Sequence, residues 1–463
     1  MTARRITVRE YARLTTRQVA QTLDCAQVPP SAFDWLCELQ ASFSRSGATL
    51  LQQDGQQALK LDSHVGVIET PCGTQLEILP KHTGQDDDPA AARKLLQRML
   101  QTVLDLPTRQ SGPASLRLFD DVPLSEWVMR QFLQGLDQLI KRGVRFDYQR
   151  VEEEQRFLRG QLDVVAQMRQ PPGRQHHFQI RHDVFLADRA ENRLLRLALE
   201  RVCKSTREAQ NWRLAHALRG LLQEIPASRN IGQDFRYWQN NRLMAHYQPL
   251  RPWCELILGE QSPLAVSGDW RGISLLFPME KLFEKYVEVM LRRQLPPSAT
   301  LLAQRRWHCL CTHEHKPLFE LRPDMLLQQD GRTWVLDAKW KLLDANNRAG
   351  KYGLSQADFY QLYAYGQKYL GGQGEMLLIY PRTEGFQQPM APFDFSEHLR
   401  LWVVPFDLET DTLCLGDRLQ FPWLSSRAAP NQHTLPPGSQ HPGPAPYVTA
   451  CGWLPANTRD LLQ

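Results

Sequence analysis

The chain is short of net charge, of cysteine and of long apolar runs, and each shortage removes a class of function. Its 463 residues carry 55 Lys and Arg against 50 Asp and Glu, a formal charge of only +5. No global basic field therefore announces a polyanionic partner, and any such contact has to be local. No apolar run reaches the ~18–20 residues of a membrane helix. The opening MTARRITVREYARL has basic residues but no apolar core after them, so no secretory signal is read. Nine cysteines, odd in number and irregularly spaced, give no disulfide framework and suit a reducing compartment; a cytoplasmic location without membrane contact is expected. No G-x-x-x-x-G-K-[ST] loop occurs, so a nucleotide-driven motor of that type is not part of the chain. Internal repeats are absent as well.

What is present begins with an ordinary globular composition, 42% hydrophobic and 23% charged, and enough length for two or three domains that each bury a core. The most informative stretch is ELRPDMLLQQDGRTWVLDAKWK, residues 320–341. It reads as two strands joined at Asp330-Gly331, a dipeptide suited to the positive φ values of a two-residue hairpin loop. That loop sets Gln329 opposite Arg332 and, by register, Asp324 opposite Asp337. Side chains alternate along a strand, so Lys339 shares the face of Asp337. Two carboxylates and an ammonium thus meet on one side of an otherwise apolar hairpin, a costly arrangement unless something pairs with the charges.

Directly opposed carboxylates lie about 5 Å apart and repel. A hard divalent cation with oxygen ligands is the natural remedy, and such an ion can polarise a phosphoryl oxygen and acidify a bound water. Lys339 could stabilise charge on a transferring phosphate or help position the attacking water. The competing reading is an exposed hairpin with ordinary solvated Asp and Lys. Against it, VLDAKW admits charge only at alternate positions of an apolar strand.

The flanking segments can be placed on elements. Residues 4–84 look β-rich, with PCGT at 71–74 as a turn; helices are expected near 89–106, 121–143 and 188–222, and at 244–260 with a proline break. Strand alternation is read across 145–185, including QLDVVAQM. LLFPMEKLFEKYVEVML at 275–291 is an amphipathic helix with Leu282, Tyr286 and Val289 at helical spacing and Glu284 near its start. SQADFYQLYAYGQKYL at 355–370 is another, with Gln361 and Tyr365 on one face. GEMLLIYPR and LRLWVVPFDL fit further strands of a central mixed sheet. A boundary is expected at 262–272, and residues 424–447, rich in Pro and Gly, are expected to be flexible or extended.

WHCLCTHEH at 307–315 tempts toward zinc. One straight strand cannot wrap four ligands around an ion, since alternate residues stand about 6.6 Å apart. An ordinary strand with incidental His and Cys is the better reading.

The constellation resembles the PD-(D/E)XK nucleases: Pro323-Asp324 supplies the first element and Asp337-Ala338-Lys339 the second, while Gln361 and Tyr365 look like the Q-x-x-x-Y element of one branch. Taken with LFEKYV at 282–287, LRPDMLL at 321–327, VLDAKWK at 335–341, VGVIET at 65–70, LEILPK at 76–81, LRGQLD at 158–163 and NRLLRLAL at 192–199, the pattern is similar to the McrC family, nuclease subunits of modification-dependent restriction systems. The resemblance spans most of residues 1 to about 415.

It implies an α/β fold: a PD-(D/E)XK restriction-endonuclease-like mixed sheet flanked by helices at 273–415. Ahead of it would stand a β-rich, partner-binding region at 1–85 and a mixed α+β, largely helical region at 86–262. It also implies a Mg²⁺-dependent DNA endonuclease, with Mn²⁺ as the alternative ion. Asp324, Asp337, the Ala338 carbonyl and Glu284 would form the metal set. Lys339 would assist the water or the transition state, Gln361 would orient Lys339 or a phosphate, and Tyr365 would pack or hydrogen-bond behind it. The partners implied are double-stranded DNA and a McrB-like AAA+ GTPase ring, which would itself recognise the modified cytosine. The rival reading is a nuclease-fold adaptor of weak or lost activity that mainly activates its motor.

Overall fold

Short runs of Val, Ile and Leu at alternate positions form the amino-terminal strands. The computed structural model describes residues 5–45, 50–55, 57–81, 88–106, 122–174, 176–259, 275–304, 308–416, 419 and 421–422. The expected boundary at 262–272, the 424–447 segment, and Arg305, Arg306 and Trp307 lie outside the described residues.

Strands β1 (Arg5–Arg9), β2 (Arg13–Thr15), β3 (Cys25–Gln27), β4 (Leu51–Gln53), β5 (Ala58–Leu61), β6 (His64–Glu69) and β7 (Gln75–Leu79) make up the expected β-rich start. Within it, helix α1 (Pro30–Arg45) was not foreseen from the sequence. Its Leu36 and Leu39 pack against Ile6, Leu14, Leu59 and Ile78 in one apolar cluster.

Helices α2 (Pro89–Val103) and α3 (Leu124–Arg142) follow as expected. The next sheet pairs β8 (Asp147–Gln155) with β10 (Phe178–Leu186), and β10 also pairs β9 (Gln161–Leu162). QLDVVAQM departs from the expected strand, because only two of its residues pair. Asp163 then caps a short helix, α4 (Val164–Met168), by accepting from the Ala166 amide. The 188–222 stretch divides into α5 (Ala190–Ser205) and α6 (Ala209–Leu221). Beyond them come α7 (Ile231–Tyr237) and α8 (Arg251–Leu258), with Pro249 and Pro252 marking the break expected there.

Strand β11 (Leu275–Pro278) turns back to pair with β6, so the amino-terminal sheet runs β1-β7-β6-β11. The pairing requires glycine at position 66. Gly66 has φ +135, and a Cβ there would stand 1.8 Å from the Leu275 carbonyl oxygen. Helix α9 (Met279–Gln294) leaves directly from β11. It buries Leu282, Phe283, Tyr286, Val287 and Met290; Val289, assigned to the stripe by spacing, is only half-buried.

The last sheet holds β12 (Ala299–Ala303), β15 (Met325–Gln329), β16 (Arg332–Ala338), β17 (Gly374–Pro381), β19 (Leu399–Asp407) and β18 (Phe393–Asp394) in that order, with β20 (Thr412–Leu413) paired to β19. A separate ribbon, β13 (His308–His313) with β14 (Lys316–Leu321), stands before β15. The sheet is mixed: β15 and β16 are antiparallel, whereas β16, β17 and β19 run parallel. Both faces of β17 are covered, which is why its sequence is a continuous apolar run. Met376, Leu378 and Tyr380 pack toward helix α10 (Gln356–Leu370), and Leu377 and Ile379 toward the cluster that holds α9.

Candidate active site

Asp330 and Gly331 both adopt positive φ, +50 and +74, and close the β15–β16 hairpin in the expected register, with Gln329 opposite Arg332 and Met325 opposite Leu336. Asp324 lies one residue outside the ladder. Its Oδ2 accepts from the Ala338 amide at 2.9 Å, which fixes it over the end of β16. Ala338 thus meets Asp324 through its nitrogen.

Asp337, in the middle of the sheet, is 0% exposed. Lys339 Nζ stands 2.7 Å from its Oδ2 as an ion pair, with the lysine side chain 27% exposed. Beyond the Lys339 ammonium and the facing Asp324 carboxyl, no donor among the described residues reaches either Asp337 oxygen. A wholly buried carboxylate in that state is expensive.

The electrostatics follow from this crowding. Burial, then the neighbouring Asp337 and Glu284 charges, hold Asp324 above the ordinary carboxylate range; Lys339 and the Ala338 amide pull the other way. Burial raises Asp337 as well, against the opposing pull of Lys339. Burial also disfavours the Lys339 ammonium, but the Asp337 and Asp324 carboxylates outweigh it and keep its pKa above the usual lysine value. A divalent cation would invert the balance at the acids by stabilising both as carboxylates. Oxygen ligands on one or two carboxylates, completed by water, are what Mg²⁺ accepts, so the donor set fits such an ion.

Glu284 acts on this pair, at Asp324, through its charge. It is half-buried, and its Oε1 accepts from Gln304 Nε2 at 2.6 Å. Its charge reaches Asp324, yet among the described residues no three His, Cys, Asp or Glu side chains gather as one metal-binding group. The same observation covers the ribbon cysteines and histidines. His315, moreover, has φ +63 and lies in the turn between β13 and β14, outside the strand.

Gln361 and Tyr365 do meet, on α10. Gln361 Nε2 donates to Tyr365 Oη at 2.7 Å, and that hydroxyl donates to the Arg322 carbonyl at 2.9 Å. Tyr365 therefore holds the backbone just before Asp324. Tyr369, missed in the sequence, donates to the Leu321 carbonyl at 2.7 Å. The signal was there: Gln361, Tyr365 and Tyr369 recur at intervals of four on one helical face. Asp358, one turn before Gln361, was missed too. It accepts from Tyr380 Oη at 3.2 Å, and its charge acts on both Asp337 and Lys339.

Residues 59–381 match the family model described as McrBC 5-methylcytosine restriction system component. A chain in the refined half-complex from the tetradecameric assembly of Thermococcus gammatolerans McrB AAA+ hexamers with bound McrC shares the fold, with TM-score 0.65 and 20% identity over 87% of this chain and 94% of that one. A chain in the Thermococcus gammatolerans McrBC complex aligns at TM-score 0.49 and 20% identity, over 63% of this chain and 88% of that one. No curated protein matches.

Proposed function

The chain belongs to the family of McrBC 5-methylcytosine restriction system components, and on that premise we propose that it is the DNA-cutting subunit, a Mg²⁺-dependent endonuclease of the PD-(D/E)XK type. The observation that carries this reading is Asp337, a fully buried carboxylate set beside a second acid, Asp324, and ion-paired to Lys339 at 2.7 Å. A scaffold has no physical need for that arrangement.

Asp324 and Asp337 would hold the cation, Mg²⁺ or Mn²⁺, with the Ala338 carbonyl as a further oxygen and Glu284 shaping the field at the edge. When bound, the ion supplies Lewis acidity toward a phosphoryl oxygen and a water of lowered pKa. Lys339, kept protonated by its acidic neighbours, stabilises charge building on the phosphate or orients the attacking water. Tyr365 and Tyr369 fix the backbone that presents Asp324, and Gln361 secures Tyr365. Arg322, Lys341, Arg348 and Lys351 are exposed, with no acidic partner among the described residues, and they suit contact with the phosphates of double-stranded DNA.

The solved assembly above joins McrB AAA+ hexamers to bound McrC. For this chain we propose a partner of the same kind, a McrB-like ring that docks on the amino-terminal region, has its GTP hydrolysis stimulated by this chain and carries the recognition of modified cytosine. The test reconstitutes the full chain with its ring and measures cleavage of methylated duplex. Asp337→Ala should abolish cutting in Mg²⁺ while ring assembly and stimulated GTP hydrolysis persist. Undiminished cutting by that variant would remove the site. A wild-type chain that stimulates the ring but never cuts would leave the adaptor role instead.

A further inference from the structure

One buried acid takes no part in the site just described. Glu10 follows β1, is 0% exposed, and lies 330 positions from its indole partner in the sequence. Its Oε1 accepts from Trp340 Nε1 at 2.7 Å and from the Lys81 amide at 2.7 Å. Its Oε2 accepts from Ser63 Oγ at 3.4 Å. Ser63 in turn gives its carbonyl to the Met279 amide, the first residue of α9, at 3.0 Å.

Trp340 is the residue after Lys339, at the point where β16 ends, and its ring lies on Phe283 at 5.2 Å between centroids. Phe283 is the neighbour of Glu284. A single carboxyl thus ties together β1, the end of β7, the start of α9 and the chain that carries Lys339.

We propose that Glu10 is a positioning residue, through which the amino-terminal sheet sets the place of Lys339 and of the α9 turn bearing Glu284. The inference rests on the nuclease reading for its cleavage arm alone. Three donors converge on a carboxyl that touches neither acid of the site, so its reach to Lys339 runs through the Trp340 backbone. Geometry, not charge, does this, because Oε1 alone receives both the indole and the Lys81 amide. Burial also pushes the Glu10 carboxyl up to about 7, so near neutral pH a neutral form is well populated.

A glutamine keeps the doubly accepting oxygen and can reverse the hydrogen bond to Ser63, whereas alanine removes both. The full chain with its ring is therefore prepared as Glu10→Ala, Glu10→Gln, Trp340→Phe and the alanine–phenylalanine double variant. Glu10→Ala and Trp340→Phe should each lower kcat for duplex cleavage by ~10–100-fold, the usual effect of losing an outer positioning group, with KM for DNA unchanged. Glu10→Gln should restore kcat to within about threefold of wild type. The double variant should be no worse than the poorer single one, because both changes break one interaction.

An ¹⁵N-indole spectrum, with Trp340 assigned from Trp340→Phe, reads the link without cleavage. The Trp340 signal should move in Glu10→Ala and return in Glu10→Gln. A stationary indole signal in Glu10→Ala, wild-type kcat in that variant, or equal loss in the alanine and glutamine variants would each overturn the proposal. If cutting survives Asp337→Ala in the same assay, the nuclease reading fails and the indole spectrum alone decides the fate of the Glu10 link.

Discussion

Replacing Asp337 by Asn should make the metal-free protein more stable while it destroys cutting. In the folded chain this carboxylate is fully buried and faces a second acid across the end of the strand, with the Lys339 ammonium, 2.7 Å away, as its one cationic partner. Leaving a buried polar group unsatisfied costs about 1–3 kcal/mol, more when it is charged. Asn is nearly isosteric, removes the charge, and offers N–H groups toward Asp324. The variant also loses the Lys339 ion pair, with Asp324 left to hold the ammonium, so the expected net gain is about 1 kcal/mol, or roughly 2–4 °C in Tm for a domain of about 200 residues. Wild-type protein at free Mg²⁺ a hundredfold above Kd should gain ~2.7 kcal/mol from binding, and the variant should gain little. Cleavage should fall by ~100-fold or more. Thermal melts of both proteins in EDTA and in Mg²⁺, run beside the cleavage assay, test all of this. A variant that melts below wild type in EDTA and keeps the full Mg²⁺ shift would refute the argument that this carboxylate waits for a cation.

Proton linkage gives a second expectation. Asp324 and Asp337 are raised above their ordinary 3.8 in the fold, so the folded chain keeps protons that the unfolded chain releases. Their contribution is complete below that value and is lost as pH climbs through the raised values. Metal-free wild type should thus lose Tm between about pH 5 and 8 more steeply than Asp337→Asn, and Mg²⁺ should stabilise it most at the alkaline end. Tyr365→Phe removes the hydrogen bond to the Arg322 carbonyl and should cost about 1 kcal/mol in denaturant unfolding; Gln361→Ala, on an exposed side chain, should cost less. Gly66→Ala would drive a Cβ to 1.8 Å from the Leu275 oxygen at φ +135 and should leave little folded protein on gel filtration; normal yield and Tm would show that β6 and β11 can separate.

The hairpin was legible because its determinants are local. Asp330-Gly331 dictates the turn, the turn dictates the register, and alternation then places Asp324, Asp337 and Lys339 together. The parallel core strands were legible too, since burial on both faces leaves a continuous apolar run. Helix α1 was missed although Ala32, Leu36 and Leu39 stand at helical spacing in PSAFDWLCELQASFSR, because the strand candidates on both sides set the reading of residues 4–84. QLDVVAQM read as a strand from its alternation, but Asp163 caps the short helix that follows it. Glu284 was placed at the metal from its position on α9, whereas its nearest partner, Gln304, comes from the segment after β12. Asp358, Tyr369 and Glu10 act through contacts that no window of sequence contains.

One consequence concerns the order in which the molecule is finished. The edge strand β11 joins a sheet whose other members come from the first eighty residues, and the indole beside Lys339 is held by a residue ten positions from the start. A ribosome-bound chain that has not yet extruded residue 340 has the strands of its first sheet and already carries Asp324, Asp337 and Lys339, but the two are not fastened. Competence in this architecture arrives late in synthesis, when head and tail of the described fold close on one another.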